Sequence, residues 1–114
     1  MKINFSLPYK AHWGEMLCVN LTFYSSRGAS LEVKLLMNTQ DGYHWMVETS
    51  TRENRQHPFD LIYYYYTVVD EDGKVLRTES VDSPRVYVYD SSKSYIFDDF
   101  WLEEKLAARM ATAI

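Results

Sequence analysis

Period-two alternation of apolar and polar residues is the feature that most limits how this chain can fold. In the first segment, Ile3, Phe5 and Leu7 alternate with polar residues, and Pro8 follows directly. Because successive side chains of a strand point to opposite faces, this alternation predicts a strand with one buried face. Proline is poorly tolerated inside a sheet and predicts the end of that strand.

Similar segments recur along most of the chain, separated by turn signals such as Asp41-Gly42. Further strands are predicted at residues 17–23, 31–37, 43–49, 59–69, 86–89 and 95–98, with one more beginning at residue 74. Two of them carry inward-facing sets, which are Leu17, Val19, Leu21 and Phe23, and Leu31, Val33, Leu35 and Met37. Seven or eight short strands spaced in this way predict an all-β sandwich or barrel, and local pattern does not separate the two.

The last residues have a different period. Leu102, Leu106 and Met110 recur every four residues among charged side chains, which is typical of the apolar stripe of a helix. The sequence therefore predicts a β-domain over residues 1–101. Residues 102–114 are expected to form a short C-terminal helix, either a linker or a truncated extension.

Composition and charge exclude several classes of function. The 114 residues fit one domain, the net charge is −4, and the basic cluster of a nucleic-acid-binding protein is missing. The chain has no apolar run long enough to span a membrane and no signal-peptide pattern at its start. Its single cysteine, Cys18, lies mid-strand and is expected to be a small packing residue. These features favour a cytoplasmic protein.

No convincing catalytic or metal-binding constellation is found in the sequence. The histidines His12, His44 and His57 have none of the spacings of a zinc site, so neither a metal nor a cofactor is expected. Asp98 and Asp99 are adjacent in a strand and point to opposite faces, which prevents them from acting as a carboxylate pair. The chain alone is therefore not expected to be an enzyme.

Aromatic residues are abundant, and they point to binding. They make up 16% of the chain, including ten Tyr and three Trp. Aromatic rings stack on the C–H faces of sugars, so an exposed Trp or Tyr is a candidate carbohydrate contact. Trp13 lies in a polar loop beside Gly14 and is expected at the surface, whereas Trp45 lies within a strand and is expected in the core. The run of tyrosines at 63–66 must divide two and two across the sheet.

Four segments in order resemble family 20 carbohydrate-binding modules, the starch-binding domains. They are FSLPYKAHWGE at residues 5–15, the mid-domain Trp45, the stretch YYYTVVD at 64–70 through VLRTE at 75–79 to Arg85, and FDDFW at 97–101. Among these modules, the chain is most similar to those at the N-terminus of disproportionating 4-α-glucanotransferases. The resemblance implies an antiparallel, immunoglobulin-like β-sandwich of seven to eight strands that binds α-glucan.

The resemblance also implies site residues. One family site uses the aromatic before the first glycine together with a Tyr and the mid-domain Trp, which correspond here to Trp13, Tyr43 and Trp45. The other family site uses two Trp and a Lys. In this chain residues 25–31 contain no Trp, and the remaining two positions fall at Thr78 and Tyr65. That site would have to be rebuilt from Tyr65 and Arg77.

Two functions follow from these observations. The leading one is a non-catalytic module that binds starch, glycogen or malto-oligosaccharides and targets a fused 4-α-glucanotransferase to its substrate. The alternative is a structural or interaction domain that packs on a catalytic neighbour and has lost glucan binding. A monomer is expected, although an exposed aromatic face could also form a dimer contact.

Overall fold

Eight strands are present in the computed structural model, which describes residues 2–50, 59–79, 85–90 and 92–102. They are β1 (Lys2–Pro8), β2 (Met16–Tyr24), β3 (Ser30–Leu36), β4 (His44–Ser50), β5 (Leu61–Val69), β6 (Val75–Thr78), β7 (Arg85–Val88) and β8 (Tyr95–Asp98). The predicted all-β architecture is confirmed, with strand limits mostly within two residues of those expected. His57 and residues 103–114 lie outside the described residues, so the predicted C-terminal helix stays a prediction.

The strands form two sheets that pack as a sandwich. A three-stranded sheet has the order β4-β1-β8. A five-stranded sheet has the order β3-β2-β5-β6, and β7 pairs with the other half of β5. The long central strands β2 and β5 run side by side over nine residue pairs, from Met16 opposite Val69 to Tyr24 opposite Leu61. The choice between sandwich and barrel, which local pattern leaves open, is thereby resolved in favour of the sandwich.

One ladder departs from the predicted antiparallel arrangement. Of the six ladders between the described strands, five are antiparallel, but β8 runs parallel to β1. Parallel neighbours need a crossover connection, and here β8 follows β7 of the opposite sheet. Alternation reports which face a side chain takes and carries no information on strand direction, so the sequence could not reveal this pair.

The core lies between the two sheets and is rich in aromatic residues. Phe5 of β1 is 1% exposed and packs edge-to-face on Tyr64, with ring centroids 4.9 Å apart. Such pairs add about 0.5–1.5 kcal/mol beyond the burial of apolar area. The inward sets of β1 and β2 are confirmed as buried. In β3, however, Leu31 is 49% exposed, because it lies at the end of an edge strand where no neighbour covers it among the described elements.

The tyrosine run divides as predicted. Tyr64 and Tyr66 are fully buried, while Tyr63 and Tyr65 take the outer face of the five-stranded sheet. The two buried hydroxyls donate hydrogen bonds of 2.8 and 2.6 Å to one carboxylate oxygen of Asp99. Burial and the adjacent Asp99 charge both raise the pKa of these two phenols well above its ordinary value.

A buried ionic network closes this end of the sandwich. Glu79, whose side chain is completely buried, forms a two-point ion pair with Arg85. Its two oxygens also accept hydrogen bonds from the backbone amides of Tyr66 and Leu102, at 2.9 Å each. Arg85 donates in turn to the carbonyl of Phe100 at 2.7 Å and lies over the Tyr66 ring. The network therefore fixes residues 99–102 to the five-stranded sheet.

Candidate functional site

An open groove of about 720 Å³ lies at the end of the sandwich where the β1–β2 and β3–β4 connections meet. Trp13 and Gly14 form one wall of the groove. The opposite wall is formed by residues 36–39, 41 and 42, and Trp45 also lines the groove. The polar side chains that line the groove are His12, Glu15, Asn38, Thr39, Asp41 and Glu71.

The wall that carries Trp13 is a turn whose shape the sequence dictates. Gly14 has φ of +83°, a left-handed conformation that residues with a Cβ rarely adopt. The Glu15 amide donates to the His12 carbonyl at 3.0 Å, and the His12 amide donates to the Glu15 carboxylate at 2.8 Å. This reciprocal pair closes a tight turn, and Trp13 lies at its tip with its side chain fully exposed.

Arg77 of β6, a strand of the five-stranded sheet that the turn leads into, anchors that turn. Its guanidinium donates to the Glu15 carboxylate at 2.6 Å and to the Tyr9 hydroxyl at 3.0 Å. Burial opposes ionisation of Glu15, but the hydrogen bonds from His12 and Arg77 outweigh it and hold the pKa of Glu15 below its ordinary value. The two ends of the loop are thus fixed, and only its tip projects into solvent.

The facing wall is a turn organised by Asp41. One oxygen of its carboxylate accepts from the amides of Tyr43 and His44, each at 2.8 Å, and the other contacts the His44 ring nitrogen at 2.8 Å. The His44 side chain and the two amides lower the pKa of Asp41. The Thr39 hydroxyl accepts from the Gly42 amide at 2.9 Å, which completes the turn.

Backbone hydrogen bonds join the two walls. The Tyr9 amide donates to the Tyr43 carbonyl at 2.8 Å, and the Ala11 amide donates to the Gly42 carbonyl at 3.2 Å. Trp45 is 3% exposed, and its indole N–H donates to the Tyr9 carbonyl at 3.0 Å. Trp45 is therefore a core residue, as expected from its strand, and supports the groove from below.

Two of the five predicted site residues come together here, and the other three do not line the groove. Trp13 and Trp45 both line it, whereas Tyr43, which follows the lining residue Gly42, is half-exposed with its ring against His44. Tyr65 lies opposite Asn20, whereas Arg77 lies opposite the buried Val68. Since residues 65 and 68 of one strand take opposite faces, Tyr65 and Arg77 are on opposite sides of the sheet. They do not form one site.

Sequence reasoning did not identify the polar lining of the groove or the Glu15–Arg77 anchor. Asp41 was visible only as part of a turn signal, and Asn38 and Thr39 carry no pattern of their own. Glu15, three residues after His12, has the spacing of a side chain that closes a turn on a backbone amide, which is the one local signal present.

No three His, Cys, Asp or Glu side chains of the described residues come together as ligands for a metal ion. A helix with the length and apolar character needed to cross a membrane is also missing from the described part of the chain.

Comparisons with known proteins support the fold. No protein-family model matches the chain, and no curated protein matches it. Among solved structures, the glycoside hydrolase family 15 glucoamylase from Hypocrea jecorina is similar, with a TM-score of 0.57 and 15% sequence identity. The similar region covers 90% of this chain and 17% of the glucoamylase chain. At this identity the similarity shows a shared β-fold, within a much longer carbohydrate-active enzyme.

Proposed function

We propose that this domain binds α-glucan chains in the groove, with Trp13 as the principal stacking surface. The observation that carries the proposal is the full exposure of Trp13 on an anchored loop. Burying an apolar side chain of this size is worth roughly 1.5–3 kcal/mol or more, and that stabilisation is forgone when the ring stays in water. A large exposed ring on a fixed turn is expected at a binding surface, where a bound ligand covers the ring.

The groove also has hydrogen-bonding groups close to the exposed ring, which a sugar site requires. Glucose units present hydroxyls around an apolar face, so a glucan site combines an aromatic platform with nearby hydrogen-bonding groups. Asn38, Thr39 and Glu71 supply amide, hydroxyl and carboxylate groups along the groove that Trp13 borders. Tyr43, half-exposed in the chain next to the lining residue Gly42, is the candidate second ring for a longer glucan chain.

The domain acts without turnover in this proposal. Glycoside hydrolysis needs a carboxyl group that stays protonated long enough to act as an acid, together with a second carboxylate. Asp41, which lines the groove, has its pKa lowered and its oxygens occupied by its own turn. A module of this kind serves by tethering, since it raises the local concentration of polymer around a fused 4-α-glucanotransferase. The cytoplasmic location stays a prediction.

Isothermal titration of the chain with maltoheptaose or β-cyclodextrin tests the proposal. We expect saturable binding, and the Trp13→Ala variant should lose about tenfold or more in affinity because a stacking contact is removed. Tyr24→Ala is the matched control. It removes an exposed ring at the opposite end of β2 from Met16, which is about 26 Å along the strand.

The alternative, an interaction domain that packs on a catalytic neighbour, is favoured by one observation. The outer face of the five-stranded sheet exposes several large apolar side chains, among them Val88 at 79%. An absence of heat with glucan at millimolar concentration would overturn the glucan proposal in favour of this one. Equal losses in Trp13→Ala and Tyr24→Ala would also count against the groove.

A further inference from the structure

The five-stranded sheet has an outer surface that turns away from the core and is unusually apolar. We call it the outer face. Its largest side chains are Tyr24, Leu36, Leu61, Tyr63, Tyr65, Val86 and Val88. Val88, Leu36 and Val86 are 79%, 54% and 49% exposed. Tyr24, Leu61, Tyr63, Val86 and Val88 are neighbours in two adjacent rows, whereas Leu36 lies apart from them, beyond the row of Lys34 and Asn20. Contiguous apolar patches on a protein surface mark interaction sites.

The strand register arranges the outer face in rows across the sheet. One row runs from Glu32 through Thr22 and Tyr63 to Val86. The next row, two residues and about 6.6 Å along the strands, runs from Lys34 through Asn20 to Tyr65. Glu32 and Lys34 therefore occupy the same place, the β3 edge, in two adjacent rows.

In a pair of copies, each of these two rows is complementary to the other. A two-fold axis that lies between the rows, perpendicular to the strands, places each row of one copy over the other row of a second copy. Glu32 then faces Lys34 of the other copy, and Tyr63 faces Tyr65. The flanking rows, which carry Tyr24 and Leu61 on one side and Leu36 on the other, are exchanged by the same axis. An isologous dimer requires such a match of a patch with itself.

The size of the overlap sets the strength of such a contact. About this axis, β2 overlaps over residues 18–24 and β5 over residues 61–67, which is about 23 Å of strand, and the sheet there is three to four strands or about 14–19 Å wide. The footprint is therefore about 330–440 Å² per copy and about 700–900 Å² in total. This is below the ~1,000 Å² of a specific, stable interface and corresponds to a weak, transient association.

We propose that two copies of this chain associate outer face to outer face about this axis, with reciprocal Glu32–Lys34 pairs beside a central tyrosine cluster. This differs from the monomer expected from the sequence, and it does not depend on glucan binding. The buried amide of Asn20 donates to the Thr67 hydroxyl at 3.0 Å, so this polar side chain in the middle of the face already has a partner within its own copy. The association is weak and strengthens at low ionic strength.

Sedimentation equilibrium of the full chain tests the dimer over a range from about 10 μM to about 1 mM, where an interface of this size associates. We expect a monomer–dimer equilibrium. Lys34→Glu should raise the dimer dissociation constant about tenfold or more, because both reciprocal pairs become repulsive. Glu32→Lys should do the same. Combining Glu32→Lys with Lys34→Glu restores opposite charges at both pairs and should restore the dimer.

Lys93→Glu is the matched control. It makes the same change of charge in the exposed turn before β8, away from the outer face, and should leave the dimer unchanged. A chain that stays monomeric at 1 mM, or a dimer on which the single reversals have no more effect than Lys93→Glu, would overturn the proposal. Failure of the double variant to recover would contradict the reciprocal pairing. Circular dichroism of each variant verifies that it is folded.

Discussion

Replacement of Glu79 by glutamine probes the buried network that holds the end of the sandwich. The change is nearly isosteric and removes only the charge and one acceptor oxygen. In the folded protein that oxygen accepts hydrogen bonds from the Arg85 guanidinium and from the backbone amide of Leu102. The Arg85 side chain is itself only 9% exposed. The new NH₂ group faces donors, so the substitution leaves a buried guanidinium with an uncharged partner that accepts through one oxygen instead of two.

The expected cost follows from that geometry. Removing one partner of a buried ion pair destabilises a protein by about 3–5 kcal/mol. Asp99, whose carboxylate lies 3.4 Å from the Arg85 side chain, still balances part of the charge, so we expect a value near 3 kcal/mol, at the lower end. For a domain of this size, each kcal/mol corresponds to roughly 4–8 °C in Tm. The variant should therefore melt more than about 10 °C below the parent.

Urea denaturation followed by circular dichroism measures the difference in the free energy of unfolding. Glu48→Gln is the matched control, because Glu48 makes a single exposed pair with Lys2 at 3.4 Å. Exposed pairs contribute about 1 kcal/mol or less. Equal destabilisation by Glu79→Gln and Glu48→Gln would refute the argument that the buried network stabilises the fold.

Two other predictions concern the loop anchor and the buried tyrosines. Arg77→Ala should lower the free energy of unfolding by roughly 1–3 kcal/mol, because Arg77 is 43% exposed but its partner Glu15 is only 10% exposed and keeps, of the described residues, just the His12 amide as a donor. It should also weaken glucan binding about three- to tenfold, because the Trp13 loop must then be ordered on binding. Calorimetry and melting of the same variant check both values, and unchanged affinity would contradict the anchoring role. The raised pKa of Tyr64 and Tyr66 predicts stability that is complete below pH 10, the ordinary phenol pKa, and falls above it by about 1.4 kcal/mol per pH unit for each tyrosine. Urea unfolding from pH 9 to 11 measures this slope, and a slope unchanged in a variant with both tyrosines replaced by phenylalanine would contradict it.

The faces of the strands could be predicted from the sequence because burial follows the alternation. Tyr64 and Tyr66 point inward, Tyr63 and Tyr65 point outward, and Trp13 lies exposed in its glycine-containing turn. Each of these outcomes depends on neighbours close in sequence. Period-two alternation and a local turn are sufficient to determine them.

The pairing of distant segments could not be predicted in this way. The parallel β1–β8 ladder, the separation of Tyr65 from Arg77 and the Glu15–Arg77 anchor all depend on which strands become neighbours. Asp99 is the clearest example, since the sequence presents it only as half of an acidic pair. In the fold it accepts the hydroxyls of two tyrosines that are more than thirty residues away.

A nuclear magnetic resonance titration of the indole N–H signals with maltoheptaose tests the groove most directly. Trp13 has a free, exposed ring, whereas the Trp45 N–H is already bonded to the Tyr9 carbonyl. We predict a saturable shift that is largest for the Trp13 indole, with smaller shifts for the amides of the facing turn around Asp41. An unmoved Trp13 signal at millimolar glucan, or shifts confined to the outer face, would contradict the proposal that this groove binds α-glucan.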